Sequence, residues 1–281
     1  MKKLISLTLA LMLALTALIV PAMAEEMRPV RVVGLHSKAN MTEAEIDSML
    51  EEYFKTGWCV FEEDHICHFQ YYDDLSGMLL ALNAGTIDEC SLPQFVAEYV
   101  VKANPELKIC CVEHMPNEMS LLFGFRDDEG GRDLQARINE AIGAMKADGT
   151  LDALKRDYLD AGADEELTPV QFDDFPESGE TIRVAVTGDL PPLDYIGADG
   201  VPAGFNTAAL AEIGRRLGVN VELVSMQTGS RTLALTSNTA DAVFWYMDLP
   251  NIPYDMPEGI VFSDPYVSWD MWLHIRKAAD D

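Results

Sequence analysis

Apolar residues recur along this chain at two spacings that take turns. Arg31-Val32-Val33-Gly34-Leu35 is a short β-rich run. Thr42-Glu43-Ala44-Glu45 then carries the capping-box pattern and predicts a helix to about Phe54. Phe69-Gln70-Tyr71-Tyr72 predicts a strand, Asp74 to Asn83 a helix stopped by Gly85, and Pro93 to Ala103 another helix with proline in its first turn. Ile109 to Val112 and Ser120 to Phe125 are expected as two separate strands. Leu134, Ile138, Ile142 and Met145 share a helical face within two helices over Asp133 to Tyr158, broken at Asp148-Gly149. From Ala161 to Glu180 the periodicity fades into an acidic, proline-containing linker. A new unit then starts with the strand Thr181 to Val186, a Pro191-Pro192 turn, the helix Asn206 to Leu217 ended by Gly218, and the strand Val219 to Val224. Strands at Ala242 to Tyr246 and Trp269 to Ile275 follow. Alternating strands and helices predict an α/β fold.

The first 24 residues stand apart. Lys2 and Lys3, an apolar run from Leu4 to Val20 and the small-residue end Ala22-Met23-Ala24 predict a secretory signal peptide over residues 1–24, with a retained membrane anchor as the competing expectation. No cysteine follows the run, so the protein is expected to be secreted or periplasmic without a lipid anchor. The formal charge of −27 repels nucleic acid and anionic headgroups, and no nucleic-acid partner is expected. All five cysteines, Cys59, Cys67, Cys90, Cys110 and Cys111, fall in the first half. Cys59 and Cys67 are spaced for a disulfide. They also flank His65 and precede His68, but without the paired C-x-x-C spacing of a zinc site, so no metal is expected.

The second half holds PPLDYIGADGVPAGFN, AALAEIGRRLGVNVELV, the pair Ala240-Asp241 and FSDPYV at Phe262 to Val267. The first half holds DDLSGMLLALNAGTIDE, VAEYVVKANPEL and KADGTLDALKRDYL at Lys146 to Leu159. Together these resemble the amino-acid-type, family 3 solute-binding proteins of ABC importers. The resemblance implies a two-lobed, type II periplasmic-binding-protein fold, each lobe a mixed sheet flanked by helices. It also implies a small-molecule ligand, importer membrane subunits as partners, and neither cofactor nor catalytic residue.

The order of the segments departs from that family. Members begin with the stretch that resembles residues 181–281, cross to a second lobe and return. Here a second-lobe-like domain, 27–122, comes first. A return hinge strand near Leu121 to Arg126 and closing helices occupy 123–160, the acidic linker spans 161–180, and the first-lobe-like domain follows at 181–281. Circular permutation accounts for this order, because linked old ends and new exposed ends are where rearrangement is tolerated. A tandem fragment that completes itself by swapping in a dimer is the alternative to a monomer.

The family's usual clamps on an amino acid are missing. No arginine lies between Asp241 and Phe262, and Pro93 stands where the resemblance implies an aspartate. The candidate ligand contacts are therefore Arg231, whose guanidinium suits a carboxylate, Tyr195 after the Pro-Pro turn, the aromatic pair Trp245 and Tyr246, Asp248 for a cation, and Ser37 or Asn40 as donors to an anion. The chain has no G-x-S-x-G, H-E-x-x-H or P-loop, so a non-enzymatic receptor is expected. The alternatives are a sensory or partner-binding module that has lost its ligand, and a binding-protein-derived enzyme such as a dehydratase.

Overall fold

The computed structural model describes residues 30–36, 42–48, 66–160, 169–197, 200–248 and 257–278. The expected signal peptide, Ser37, Asn40 and Cys59 lie outside the described residues.

The first lobe in the chain is built on β1 (Val30–His36) and β2 (Ile66–Tyr72), paired in parallel from Val30↔Ile66 to His36↔Tyr72. Residues 43–48 are helical, and the capping box before them closes as expected. Thr42 N–H donates to Glu45 at 2.6 Å and Glu45 N–H to the Thr42 hydroxyl at 3.4 Å. Next come α1 (Leu75–Ala84), β3 (Glu89–Pro93) and α2 (Gln94–Ala103). Gly85 sits at φ 74° and caps α1 from the left-handed region, where a side chain is disfavoured.

β4 (Leu107–Arg126) corrects the expectation of two strands, since it is one strand of 20 residues. Its polar middle, Glu113 to Glu118, hides the continuity, but β12 (Val267–Lys277) pairs with it from Leu107 to Leu121. After β4 come α3 (Glu129–Ala147), α4 (Thr150–Lys155) and a π-helical turn, Arg156–Asp160. The predicted α3 face of Leu134, Ile138, Ile142 and Met145 is buried.

The second lobe contains β5 (Thr181–Val186), the small antiparallel sheet of β6 (Asp189–Leu190), β7 (Asp194–Ile196) and β8 (Pro202–Ala203), α5 (Phe205–Leu217), β9 (Asn220–Ser225), α6 (Arg231–Thr236), β10 (Ala242–Asp248) and β11 (Ile260–Phe262). The main mixed sheet runs β2-β1-β3-β12-β4-β10-β5-β9, with β11 also on β4. The fold is mixed α/β with two lobes on one curled sheet, and β4 and β12 cross from one lobe to the other. A single apolar cluster continues across the crossing, from Leu75, Met78 and Val96 through Met119, Phe123 and Trp269 to Val184, Phe205 and Ile213.

Residues 169–180 form no helix or long strand, yet they pack onto the second lobe. Val170 is buried, the Phe175 N–H donates to Asn220 at 2.8 Å, and Glu180 takes a two-pronged pair from Arg137 of α3 at 2.8 and 3.1 Å. Two further ties join the closing helices to this lobe. Arg216 donates to Asp148 at 2.7 Å, and Asn139 accepts the Asp264 N–H at 2.8 Å.

Candidate functional site

The lobes meet where parallel strands end and loops begin, the usual place for a ligand in an open α/β sheet. On the second lobe β5 ends in Thr187-Gly188. Gly188 has φ 73°, and a Cβ there would stand 2.8 Å from the Ile196 Cδ1. The chain turns into β6 and returns through the Pro191-Pro192-Leu193 segment. Asp194 fixes this turn from inside, its Oδ2 accepting from the Thr187 hydroxyl at 2.8 Å and the Gly188 N–H at 2.7 Å. Gly204 lets α5 begin against the same turn. The Phe205 and Asn206 N–H groups donate to the carbonyls of Pro192 and Leu193, and a Cβ on Gly204 would lie 2.5 Å from the Leu193 oxygen. This close approach explains why PPLDY and AGFN occur together.

Arg231 is buried, with 3% of its surface exposed, and its Nη1 donates to the Phe244 carbonyl at 3.1 Å. Its charge also acts on Asp194. Burial pushes the Asp194 carboxyl above its ordinary value, while Gly188, Thr187 and Arg231 pull the other way. The guanidinium is thus committed to the interior of the second lobe, beneath the turn, rather than standing on the surface.

Tyr195 is half-buried on β7, and burial first, then Tyr195, raises the Tyr99 phenol of α2 above its ordinary value. Trp245, Tyr246 and Asp248 lie on β10, where the pairing with β4 shifts register between Phe244 and Tyr246 and leaves Trp245 as the extra residue. Cys67 carries a free thiol, and burial raises it to about 11.

On the first lobe the matching edge is the start of α1. Asp74 caps the helix by accepting the Gly77 N–H at 2.6 Å. The Leu75 N–H, which has no acceptor within its own helix, donates across the cleft to Asp189 Oδ2 at 3.1 Å. Asp189 Oδ1 is buried and makes no hydrogen bond. Burial first, then the charges of Asp194 and Asp74, raise the Asp189 carboxyl above its ordinary value. Lys155 of α4 adds a second contact between elements of the two halves, 5.8 Å over the Phe95 ring of α2.

Behind this edge the first lobe holds a buried charge cluster. His274 of β12, 1% exposed, lies with Nδ1 3.4 Å from Glu89 and Nε2 3.7 Å from Glu113, and Arg31 pairs with Glu89. Burial disfavours a charge on His274, but Glu113 and Glu89 bring it up to about 9. Burial likewise opposes the Glu89 charge, and His274 and Arg31 together hold that carboxyl below its usual value. No group of three or more metal-binding side chains converges among the described residues. No helix among them is long and apolar enough to cross a membrane.

Sequence reasoning missed Asp189, Leu75, Tyr99 and this cluster. The visible signals were the Asp in Gly188-Asp189-Leu190-Pro191 and the helix start at Asp74, but nothing in the order of residues joins them.

Part of the chain matches a known family. Residues 182–281 match the family model described as bacterial extracellular solute-binding proteins, family 3. That region therefore carries the sequence pattern of family 3. A comparison with curated protein sequences finds no match. Among solved structures, the chain is similar to the ligand-binding component of an ABC-type import system from Staphylococcus aureus with zinc bound. The two share 8% identity at a TM-score of 0.47, covering 89% of this chain and 66% of that one, less than two thirds of its length. It is also similar to Tv2483 bound to L-arginine, with 12% identity, a TM-score of 0.45 and coverage of 90% and 79%. A third is a putative L-cystine ABC transporter protein from Listeria monocytogenes, with 11% identity, a TM-score of 0.41 and coverage of 90% and 84%.

Proposed function

We propose that this chain is an extracytoplasmic solute-binding protein that captures a small polar ligand, an amino acid or a related molecule, between its lobes and presents it to the membrane subunits of an ABC importer. The observation that carries this is the pair of crossing strands, β4 and β12, joining two α/β lobes whose loop ends meet, in a chain whose residues 182–281 have the family 3 pattern. Two lobes on such a hinge close around a ligand and are stabilised by it. Tyr195, Trp245, Tyr246, Asp248, Ser37 and Asn40 are the proposed contacts. Arg231, which is buried and donates to the Phe244 carbonyl, is a further proposed contact.

The permuted lobe order belongs to the same proposal. Each half of the sheet has the same layout, β2-β1-β3 and β9-β5-β10, with a crossing strand on its inner side. The packing of residues 169–180 onto the second lobe suits a segment that joins former ends.

A thermal-shift panel of amino acids, short peptides, polyamines and sugars on residues 25–281 tests the function. A ligand that binds only the folded state at 100 times its Kd stabilises by about 2.7 kcal/mol and raises Tm. No shift from any class, together with a dimer in gel filtration, sinks the receptor assignment in favour of a partner-binding module. Turnover of a ligand that does bind assigns an enzyme instead.

A further inference from the structure

The Asp189 carboxylate accepts from the start of α1, joining residues 114 positions apart on opposite sides of the cleft. We propose that Asp189 is an interlobe latch, an acceptor carried on the second lobe's hairpin that engages the first exposed N–H of α1 and holds the cleft shut when no ligand is present. The latch goes beyond the solute-binding assignment and stands or falls separately from it.

Three features of the geometry lead there. The first-turn N–H groups of a helix need acceptors from outside it, and a carboxylate is a strong one because the positive end of the helix dipole adds to the hydrogen bond. Asp74 satisfies the Gly77 N–H and leaves Leu75 to a group from elsewhere, which Asp189 provides. Leu75 itself is buried at 3% exposure, and its amide reaches the other lobe. Asp189 is held out on a rigid arm, since Asp194 pins the Thr187-Gly188 turn just before it and β6 pairs with β7 just after it.

The same site limits how tightly the latch holds. The charged groups that face Asp189 are Asp74 at the start of α1 and Asp194 on β7, both of its own sign, and Asp189 Oδ1 is buried without a hydrogen bond. Burial, with the like charges of Asp194 and Asp74, raises the Asp189 carboxyl above its ordinary value, while the Leu75 N–H pulls the other way. By linkage, the closed form is favoured below the carboxylate's ordinary value and loses that advantage as pH rises through the raised one.

The test measures the purified, ligand-free protein by amide exchange at Leu75 and by small-angle scattering. Asp189→Ala is expected to speed exchange of the Leu75 amide at least tenfold and to enlarge the radius of gyration, with the far-UV circular dichroism unchanged. Asp189→Asn keeps an acceptor without the charge, so it is expected to keep the Leu75 protection and to lose the growth of the radius with rising pH that the latch predicts for the wild type. Unchanged exchange and radius in folded Asp189→Ala overturn the latch. If Asp189→Ala does not fold, a wild-type radius that does not grow with pH, or an Asp189→Asn profile identical to it, overturns the latch instead. A ligand panel without hits leaves these readouts intact, so failure of the receptor assignment and failure of the latch are told apart.

Discussion

The two lobes bury charge in different ways. In the first lobe, Arg31, Glu89, His274 and Glu113 form a cluster of both signs in which each charge is answered by another charge. In the second, Asp194 and Arg231 are buried as deeply, but each mainly serves the backbone. Asp194 takes the Thr187 hydroxyl and the Gly188 N–H, and Arg231 donates to the Phe244 carbonyl. The first arrangement depends on charge balance, and the second on hydrogen-bond geometry. The first lobe's cluster also draws His274 and Glu113 from the two crossing strands, so it ties that lobe to the hinge. The second lobe's pair instead shapes the turn that carries Asp189 to the cleft.

This contrast can be broken at the charge whose loss costs most. Glu89→Ala leaves Arg31 and His274 facing each other in a buried site, and should destabilise by roughly 3 to 5 kcal/mol, the usual cost of stranding a buried charge. Urea unfolding measures it, and a loss below 1 kcal/mol would show that the cluster is hydrated. In the second lobe, Asp194→Ala should cost about 2 to 3 kcal/mol by orphaning the Thr187 and Gly188 donors. Asp194→Asn, which keeps an acceptor, should cost under half as much. Equal losses in the two variants would mean that the charge on Asp194, rather than its geometry, matters.

The lobes also differ in the pH range where they respond. His274 has a folded pKa raised to about 9. Its contribution is complete below the unfolded value near 6.5 and is lost as pH rises through about 9. Asp194 is raised too, so its contribution is present only below the ordinary carboxylate range and is lost as pH rises through its folded value. Wild-type stability should therefore fall between pH 7 and 10, and His274→Gln should flatten that fall. An unchanged alkaline slope in the variant would assign the fall to other groups. The smallest effect belongs to the surface pair that fastens the linker. Arg137→Ala removes a part-exposed bond to Glu180, and should cost less than 1 kcal/mol in the same urea titration. A larger loss would show that the linker holds α3 in place.

Local rules made much of the fold legible. The capping box at Thr42-Glu45, the Gly85 and Gly218 stops, the strand Thr181–Val186 and the buried face of α3 all rest on contacts within a few residues. β3 was missed because its five residues, Glu-Cys-Ser-Leu-Pro, are buried on both faces and include a glutamate that only Arg31 and His274 make tolerable. β4 was divided in two because Glu113 to Glu118 interrupts the apolar pattern, although β12 supplies hydrogen bonds past the break. Arg231 was legible as a binding cation only by analogy, and its burial was not, since its acceptor lies on another strand.

The sequence by itself determined the α/β alternation, the helix ends and a second half with the family 3 pattern, because spacing, caps and turn residues act over short range. Only the tertiary structure decided that β4 and β12 cross as unbroken strands, that Arg231 is buried and donates to the Phe244 carbonyl, and that Asp189 reaches the amide of Leu75. Those outcomes depend on groups more than a hundred residues apart or on different elements, and a buried charge or an unpaired amide shows its partner only once the chain has folded.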